Sequence, residues 1–295
     1  MVGMAERDGL RARLAARFGI GRHGVAFQAE RPVEAGRIAL QFRSDGGEAA
    51  SGWMTHPASP PPWPVVLVIH AHGARYDIGA KELVEGRAAQ PRPLGPDLAA
   101  RGLAAVCIDL PCFGSRADVT ESAAAKADLW AGGSLAGRML SELASHLDWI
   151  AADPRFGRIG ACGLSMGATL GYWLAAVEPR IAALAQLCCL ADLDRLIASG
   201  AHDRHGIYLT VPGLPALARN GVVAGLVAPR PQLVCLGALD PLTPPDALGV
   251  ALADLRAGYR GAEHALDVLV DPDVGHVETP AMRARVLDFL AGNLA

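Results

Sequence analysis

Apolar and polar residues follow two different rhythms along this chain. Over residues 37–42 (Arg-Ile-Ala-Leu-Gln-Phe) they alternate, Gly46 and Gly47 follow, and a second short run covers 49–54. Alternation with a period of two sends successive side chains to opposite faces, so this stretch predicts a hairpin of two antiparallel strands. Residues 57–64 are proline-rich and predict a connector that is neither helix nor central strand. Beyond it the alternation gives way to continuous apolar runs at 65–69, 104–108, 159–162, 181–187, 232–236 and 266–270. Helix-forming stretches fit between or after them, at 97–101, 134–152, 168–177, 245–258 and 280–294. Continuous apolar strands alternating with helices predict an α/β fold: a mostly parallel central sheet covered by helices on both faces, with an N-terminal antiparallel extension.

Near the N-terminus, Leu10, Leu14 and Phe18 recur at helical spacing among charged residues. They predict a surface helix packed on the body. The chain therefore divides into an N-terminal helical extension, 1–36, and one α/β domain, 37–295. Three connections, 74–95, 112–133 and 192–229, are too long for simple loops and are read as lid-like insertions. They leave from strand ends, the side on which open α/β sheets bind ligands.

Composition narrows the partners. At 295 residues, 51% hydrophobic and 19% charged, the chain can bury a large core and is not disordered. A net charge of −3 and a pI near 6.3 offer no basic surface for nucleic acid. No apolar run approaches the roughly 18 residues of a membrane span. Residues 1–24 carry Glu6, Arg7, Asp8, Arg11, Arg13 and Arg17, so they lack the uncharged centre of a secretory signal. The six cysteines (107, 112, 162, 188, 189, 235) form no C-x-x-C pair, and three lie in strand-like runs where a thiol acts as a small hydrophobe. A cytoplasmic protein without membrane or nucleic-acid partners is expected. Oligomeric state is not legible in the sequence; a homo-oligomer is compatible with it.

The candidate chemistry starts at residues 158–167, Arg-Ile-Gly-Ala-Cys-Gly-Leu-Ser-Met-Gly. An apolar run ends in Gly-x-Ser-x-Gly and a helical stretch follows at once, which is the sequence form of a nucleophile elbow. Glycines at 163 and 167 suit a turn so sharp that a β-carbon would crowd it. With 34 glycines and ten serines, chance alone supplies the pattern about one time in eight. Its context carries more weight. A serine needs a histidine base held by a carboxylate, and in hydrolase order both follow the serine. Asp240 ends the turn after the strand at 232–236, and His276 follows Gly275 after the strand at 266–270. Thr279 is placed to cap the next helix, with Pro280 at its first position. Ser165, Asp240 and His276 are thus expected at one edge of the sheet as nucleophile, acid and base. Asp271 and Asp273, on the histidine's own loop, are the alternative acids. Backbone donors for an oxyanion are expected from Met166 and from the loop after the first parallel strand, by His72, with Ala74 as the alternative. His70, Cys112, Trp130 and Tyr208 are candidate pocket residues, with His202, His205 and Leu209 beside them. No step calls for a cofactor or metal.

These residues together resemble the α/β-hydrolase superfamily, more narrowly its dienelactone-hydrolase and acetyl-xylan-esterase-like branch, from about residue 37 to the C-terminus. The likeness rests on 64–70 with its His-Gly type loop, Asp109-Leu-Pro-Cys-Phe-Gly-Ser115, 153–160, Ser165-Met-Gly167, Glu178-Pro-Arg-Ile181 and Ala228-Pro-Arg-Pro231. The chain departs from the family pattern at Ala71, Cys112 and Ala168, where glycine is common. The serine nucleophile, in place of the cysteine of dienelactone hydrolase itself, implies ester chemistry on a small-molecule acyl or acetyl ester. Peptidase and thioesterase activities use the same apparatus. Two remoter readings are a metal-dependent hydrolase built on His70 and His72, recruiting His202, Asp203 and His205, and a non-catalytic binding member of the fold.

Overall fold

The computed structural model of the chain describes residues 4–34 and 36–295. Among the described residues nine strands make one sheet: β1 (Val25–Glu34), β2 (Arg37–Ser44), β3 (Ala49–Thr55), β4 (Trp63–Ile69), β5 (Ala104–Ile108), β6 (Phe156–Leu164), β7 (Ile181–Leu187), β8 (Gln232–Gly237) and β9 (Leu266–Asp271). Their spatial order is β1-β2-β3-β5-β4-β6-β7-β8-β9. Pairings from β1 to β3, and of β3 with β5, are antiparallel; those from β5 through β4, β6, β7 and β8 to β9 are parallel. The described helices are α1 (Met4–Phe18), α2 (Glu82–Glu85), α3 (Leu94–Ala100), α4 (Glu121–Trp130), α5 (Leu135–Ala152), α6 (Met166–Val177), α7 (Leu193–Ser199), α8 (Leu214–Leu217), α9 (Asn220–Gly225), α10 (Pro245–Gly258) and α11 (Pro280–Leu294).

The parallel strands alternate between two cores. On β4, Val65, Leu67 and Ile69 join the cluster that includes α1, α5, α6 and α10, while Val66 and Val68 join the one that includes α2, α3 and α11. Burial on both faces is what the continuous apolar runs required. The run at 266–270 is an exception, because β9 is the edge strand, half-exposed along its length.

Several boundaries differ from expectation: β6 extends the predicted 159–162 to 156–164, and α3 covers 94–100 in place of 97–101. The N-terminal stretch to residue 36 is not only helical: after α1, whose Leu14 and Phe18 are buried as expected, β1 adds an outer strand to the hairpin. It carries seven consecutive exposed positions, so it gives no periodic signal. Residues 1–3 and 35 of that predicted extension lie outside the described residues. The connector at 57–64 also ends sooner. Trp63 and Pro64 already belong to β4, and proline is tolerated at a strand's beginning because few ladder bonds are lost there. The three insertions follow β4, β5 and β7 and carry short helices instead of bare loop. Among the described residues no helix is long and apolar enough to cross a membrane.

From β4 the chain crosses to β5 on one side and later to β6 on the other, so strand order reverses there. Ligands of open α/β sheets bind at such a switch point, outside the carboxyl ends of the strands. Ser165 follows β6 at this point, and the loop 70–74 follows β4.

Candidate active site

Ser165 sits between the last residue of β6 and the first of α6, with φ 59° and ψ −117°. The glycines around it answer to two close approaches. A β-carbon on Gly167 would lie 1.9 Å from the Ile69 carbonyl oxygen of β4, and one on Gly163 would lie 2.3 Å from the Gly167 carbonyl carbon. Neither contact can relax without moving backbone, so Gly-x-Ser-x-Gly is here a packing requirement of β4, β6 and α6. The Ser165 N–H donates to the Leu187 carbonyl (2.9 Å) at the end of β7, and the Ser165 carbonyl accepts from Thr169 N–H (3.0 Å) in the first turn of α6.

Asp240 and His276 arrive on the loops after β8 and β9. Those loops touch closely: a β-carbon on Gly237 would lie 2.2 Å from the Gly275 carbonyl oxygen. Ala238 N–H donates to Asp271 carbonyl (2.8 Å) and Leu239 N–H to Val274 carbonyl (2.9 Å). Thr279 caps α11 through Met282 N–H (3.2 Å), with Pro280 in the first turn, which fixes where the histidine loop ends. His276 Nδ1–H donates to Asp240 Oδ2 at 2.7 Å, and Asp240 Oδ1 accepts from Leu242 N–H at 2.9 Å. The aspartate side chain is 1% exposed and the histidine 22%. Asp271 instead accepts from Asp273 N–H, and Asp273 is exposed, so the local alternatives do not hold the imidazole. Ser165 and His276 line one cavity of about 180 Å³, shared with Ala71, Gly73, Arg75, Ile78, Arg87, Ala88, Ala89 and Leu164. The structure contains no hydrogen bond between the serine hydroxyl and the imidazole.

The loop after β4 is fixed by charged groups from two insertions. Ala71 N–H donates to Glu82 Oε2 (2.9 Å), and His72 carbonyl accepts from Arg87 Nη2 (3.2 Å). Arg87 Nη1 lies 3.1 Å from Glu82 Oε2, at an angle that makes it an ion pair without a hydrogen bond. Burial pushes the Glu82 carboxyl up to about 7 against the pull of Arg87. Ala74 N–H donates to His72 Nδ1 (2.9 Å), so the His72 Nε2–H donates to Glu121 Oε2 (2.9 Å). Glu121 also accepts from Tyr76 hydroxyl (2.9 Å) and Tyr208 N–H (3.2 Å). Neither the His72 N–H nor the Met166 N–H has an acceptor among the described residues.

Several expected pocket residues stand elsewhere. His70 is fully buried; its Nε2 accepts from Leu110 N–H (3.1 Å) and its Nδ1 donates to Ala71 carbonyl (3.2 Å). Burial lowers its pKa to about 3, so it is a neutral strut between the ends of β4 and β5. Its two ring nitrogens and both of those of His72 are committed to protein partners, so the pair offers no free metal-ligating atoms. His202, Asp203 and His205 do not complete a set either, since no group of three metal-ligating side chains occurs among the described residues. Trp130 is 92% exposed at the end of α4, because that helix turns inward the face that carries Glu121, Ala124 and Ala125. Tyr208 is buried, its ring 5.8 Å from that of His72. Cys112 lines a neighbouring cavity of about 410 Å³ with Tyr76 and Glu121, separate from that of Ser165. Its φ of 73° explains why glycine is common there in the family. Of the other candidates, His205 donates from Nε2 to Leu242 carbonyl (3.0 Å) on the acid loop, His202 is exposed and Leu209 packs on the core. Glu82, Arg87 and Glu121 had no sequence signal; each reads as an ordinary charge in a surface insertion.

No family model matches the chain. The Bacillus subtilis (strain 168) protein named "Putative hydrolase YtaP" is 34% identical over 252 residues, 83% of this chain and 84% of that protein. Among solved structures, methylesterase BT1017 superposes with a TM-score of 0.72 at 22% identity, over 97% of this chain and 63% of its own. Acetyl xylan esterase 1 from Thermoanaerobacterium sp. JW/SL YS485 gives 0.65 at 16% identity, over 98% and 94%. The sheet order, the strained serine between β6 and α6, and a relative of this identity across most of the sequence agree: the chain belongs to the α/β-hydrolase superfamily.

Proposed function

We propose that the protein is a serine carboxylic-ester hydrolase that cleaves small acyl esters through an acyl-enzyme. The observation that carries this reading is the 2.7 Å contact of His276 Nδ1 with the buried Asp240, made by an imidazole that lines one cavity with the elbow serine. A carboxylate on Nδ1 fixes the tautomer that leaves Nε2 free to take a proton. In the proposed reaction His276 takes the hydroxyl proton of Ser165 as Oγ attacks the acyl carbon. The His72 and Met166 N–H groups receive the oxyanion, each donor contributing about 3 kcal/mol. His276 then protonates the departing alcohol, and water attacks the acyl-serine by the same route.

The choice of His72 over Ala74 rests on hydrogen bonding, because the Ala74 N–H is already donated to an imidazole. A short acyl group is favoured by the size of the cavity, about 180 Å³, which Arg75, Ile78, Arg87 and Leu164 help to wall. The acetyl xylan esterase and the methylesterase are named for ester substrates, which adds weight to ester over peptide or thioester cleavage. Ser165→Ala should abolish turnover of p-nitrophenyl acetate and covalent labelling by a fluorophosphonate probe. Wild-type turnover in that variant would sink the assignment. A panel of esters graded by acyl length should show activity falling beyond short acyl chains.

A further inference from the structure

We propose that Glu121, on the insertion after β5, is a positioning residue for the oxyanion site and acts through the imidazole of His72. The inference rests on the reading of Ser165 and His72 given above.

Loop 70–74 can aim the His72 N–H at a substrate only if the loop is held on both sides. Glu82 and Arg87 hold the backbone at Ala71 and at the His72 carbonyl. The other side depends on the His72 ring, which ties back to its own loop through Ala74 N–H. That tie exists only while Nδ1 is the acceptor and Nε2 carries the proton. Glu121 sets this state, because its Oε2 accepts the Nε2–H at 2.9 Å. The ring has little freedom otherwise. Phe113 and Tyr76 lie against it at centroid distances of 5.2 and 5.3 Å, and a β-carbon on Gly206 would lie 2.6 Å from Nε2. Glu121 is itself fixed by Tyr76 hydroxyl and by Tyr208 N–H, the latter from the insertion after β7. Burial alone would raise the Glu121 pKa, but its hydrogen bonds, led by that from His72, hold it below the usual carboxylate range. It therefore stays an acceptor at working pH. One carboxylate thus couples all three insertions to the orientation of a single backbone donor.

Glutamine at 121 has a single acceptor oxygen for the two sides that the carboxylate serves, His72 and Tyr76 on Oε2 and Tyr208 N–H on Oε1, so one side meets an amide donor, the hold on the ring and on its tautomer weakens, and the His72 N–H drifts from its line. Glu121→Gln should lower kcat for p-nitrophenyl acetate about tenfold to a hundredfold, less than the roughly 10²–10³ lost with an entire oxyanion donor. KM should change less than about threefold, because the donor acts on the developing charge and not on the bound ester. Inhibition by a boronic acid, a tetrahedral mimic, should weaken in parallel with kcat. His72→Phe removes the same tie by a different route and should show a similar loss, which carries the test if Glu121→Gln does not fold. In the His72→Phe background, Glu121→Gln should add less than about twofold, since coupled residues are not additive. Wild-type kcat in either single variant, or losses that multiply in the double variant, would overturn the proposal. If Ser165→Ala is inactive while Glu121→Gln and His72→Phe are fully active, only the positioning role fails. If Ser165→Ala is active, the reading of the site fails first.

Discussion

Asp240 is 3% exposed and its carboxylate accepts two hydrogen bonds, one from Leu242 N–H and one from His276. The first fixes the carboxylate, so the second fixes the imidazole. Asparagine would keep the shape but present an amide N–H where Nδ1–H must donate, favouring the wrong tautomer. Asp240→Asn should therefore lower kcat roughly 10⁴-fold with the fold intact. A fall of less than about tenfold in p-nitrophenyl acetate turnover, with an unchanged melting temperature, would show that Asp240 does not orient the base. At this scale the sequence was informative about where Ser165, Asp240 and His276 stand, because each sits beside turn-forming residues just after an apolar run. Glu121 was invisible. It follows Thr120, which caps α4 through Ala123 N–H, and so reads as an acidic residue in an ordinary first helical turn. Its role depends on His72, 49 positions away in sequence, and on two tyrosines from different segments.

At the scale of elements, the elbow is a junction of three. A methyl group at Gly167 would overlap the Ile69 carbonyl, so β4 and α6 would have to separate. Gly167→Ala should destabilise the protein by about 3 kcal/mol or more, at the upper end for overpacked sites. Urea unfolding checks this, and a midpoint equal to wild type would refute the packing account. Strand and helix existence was legible from periodicity: β5 and β7 have the predicted bounds, and α5 begins directly after Ser134, which caps it through Gly137 N–H. β1 was not legible, since its burial is limited to one end and its stability comes from pairing with β2. Nor could the pattern show that β9 is an edge strand, because apolar content does not record how many neighbours a strand has.

For the whole molecule, two fully buried histidines tie acid sensitivity to the fold. His146, on α5, packs 5.3 Å from the ring of Phe42 on β2, and neither of its ring nitrogens has a partner among the described residues. Burial, aided by Arg116, lowers its pKa to about 3, as burial does for His70. Between pH 6.5 and about 3 the unfolded chain takes up a proton at each site that the folded chain excludes. Each therefore withdraws about 1.4 kcal/mol of stability per pH unit as pH falls, a contribution fully present only above 6.5. His146→Leu should flatten the acid limb by one such contribution. It should also raise stability at pH 7 by about 1–3 kcal/mol, because a buried polar group without partners is removed. Denaturant midpoints from pH 4 to 7 test both; an unchanged slope would mean that His146 is not excluded from protonation in the fold.

The sequence by itself determined the α/β architecture, the elbow and the order serine, aspartate, histidine. Strand runs, helix caps and tight turns depend on neighbouring residues, and their signals therefore lie along the chain. Only the tertiary structure decided that His70 is a buried strut, that Trp130 faces solvent, that Asp240 holds His276 in place of Asp271 or Asp273, and that Ala74 N–H is already engaged. It also brought Glu82, Arg87 and Glu121 around loop 70–74. The physical reason is the same in each case. A side chain's role inside an insertion is set by which distant group it meets at hydrogen-bonding distance, and no local pattern of hydrophobic and polar residues encodes that meeting.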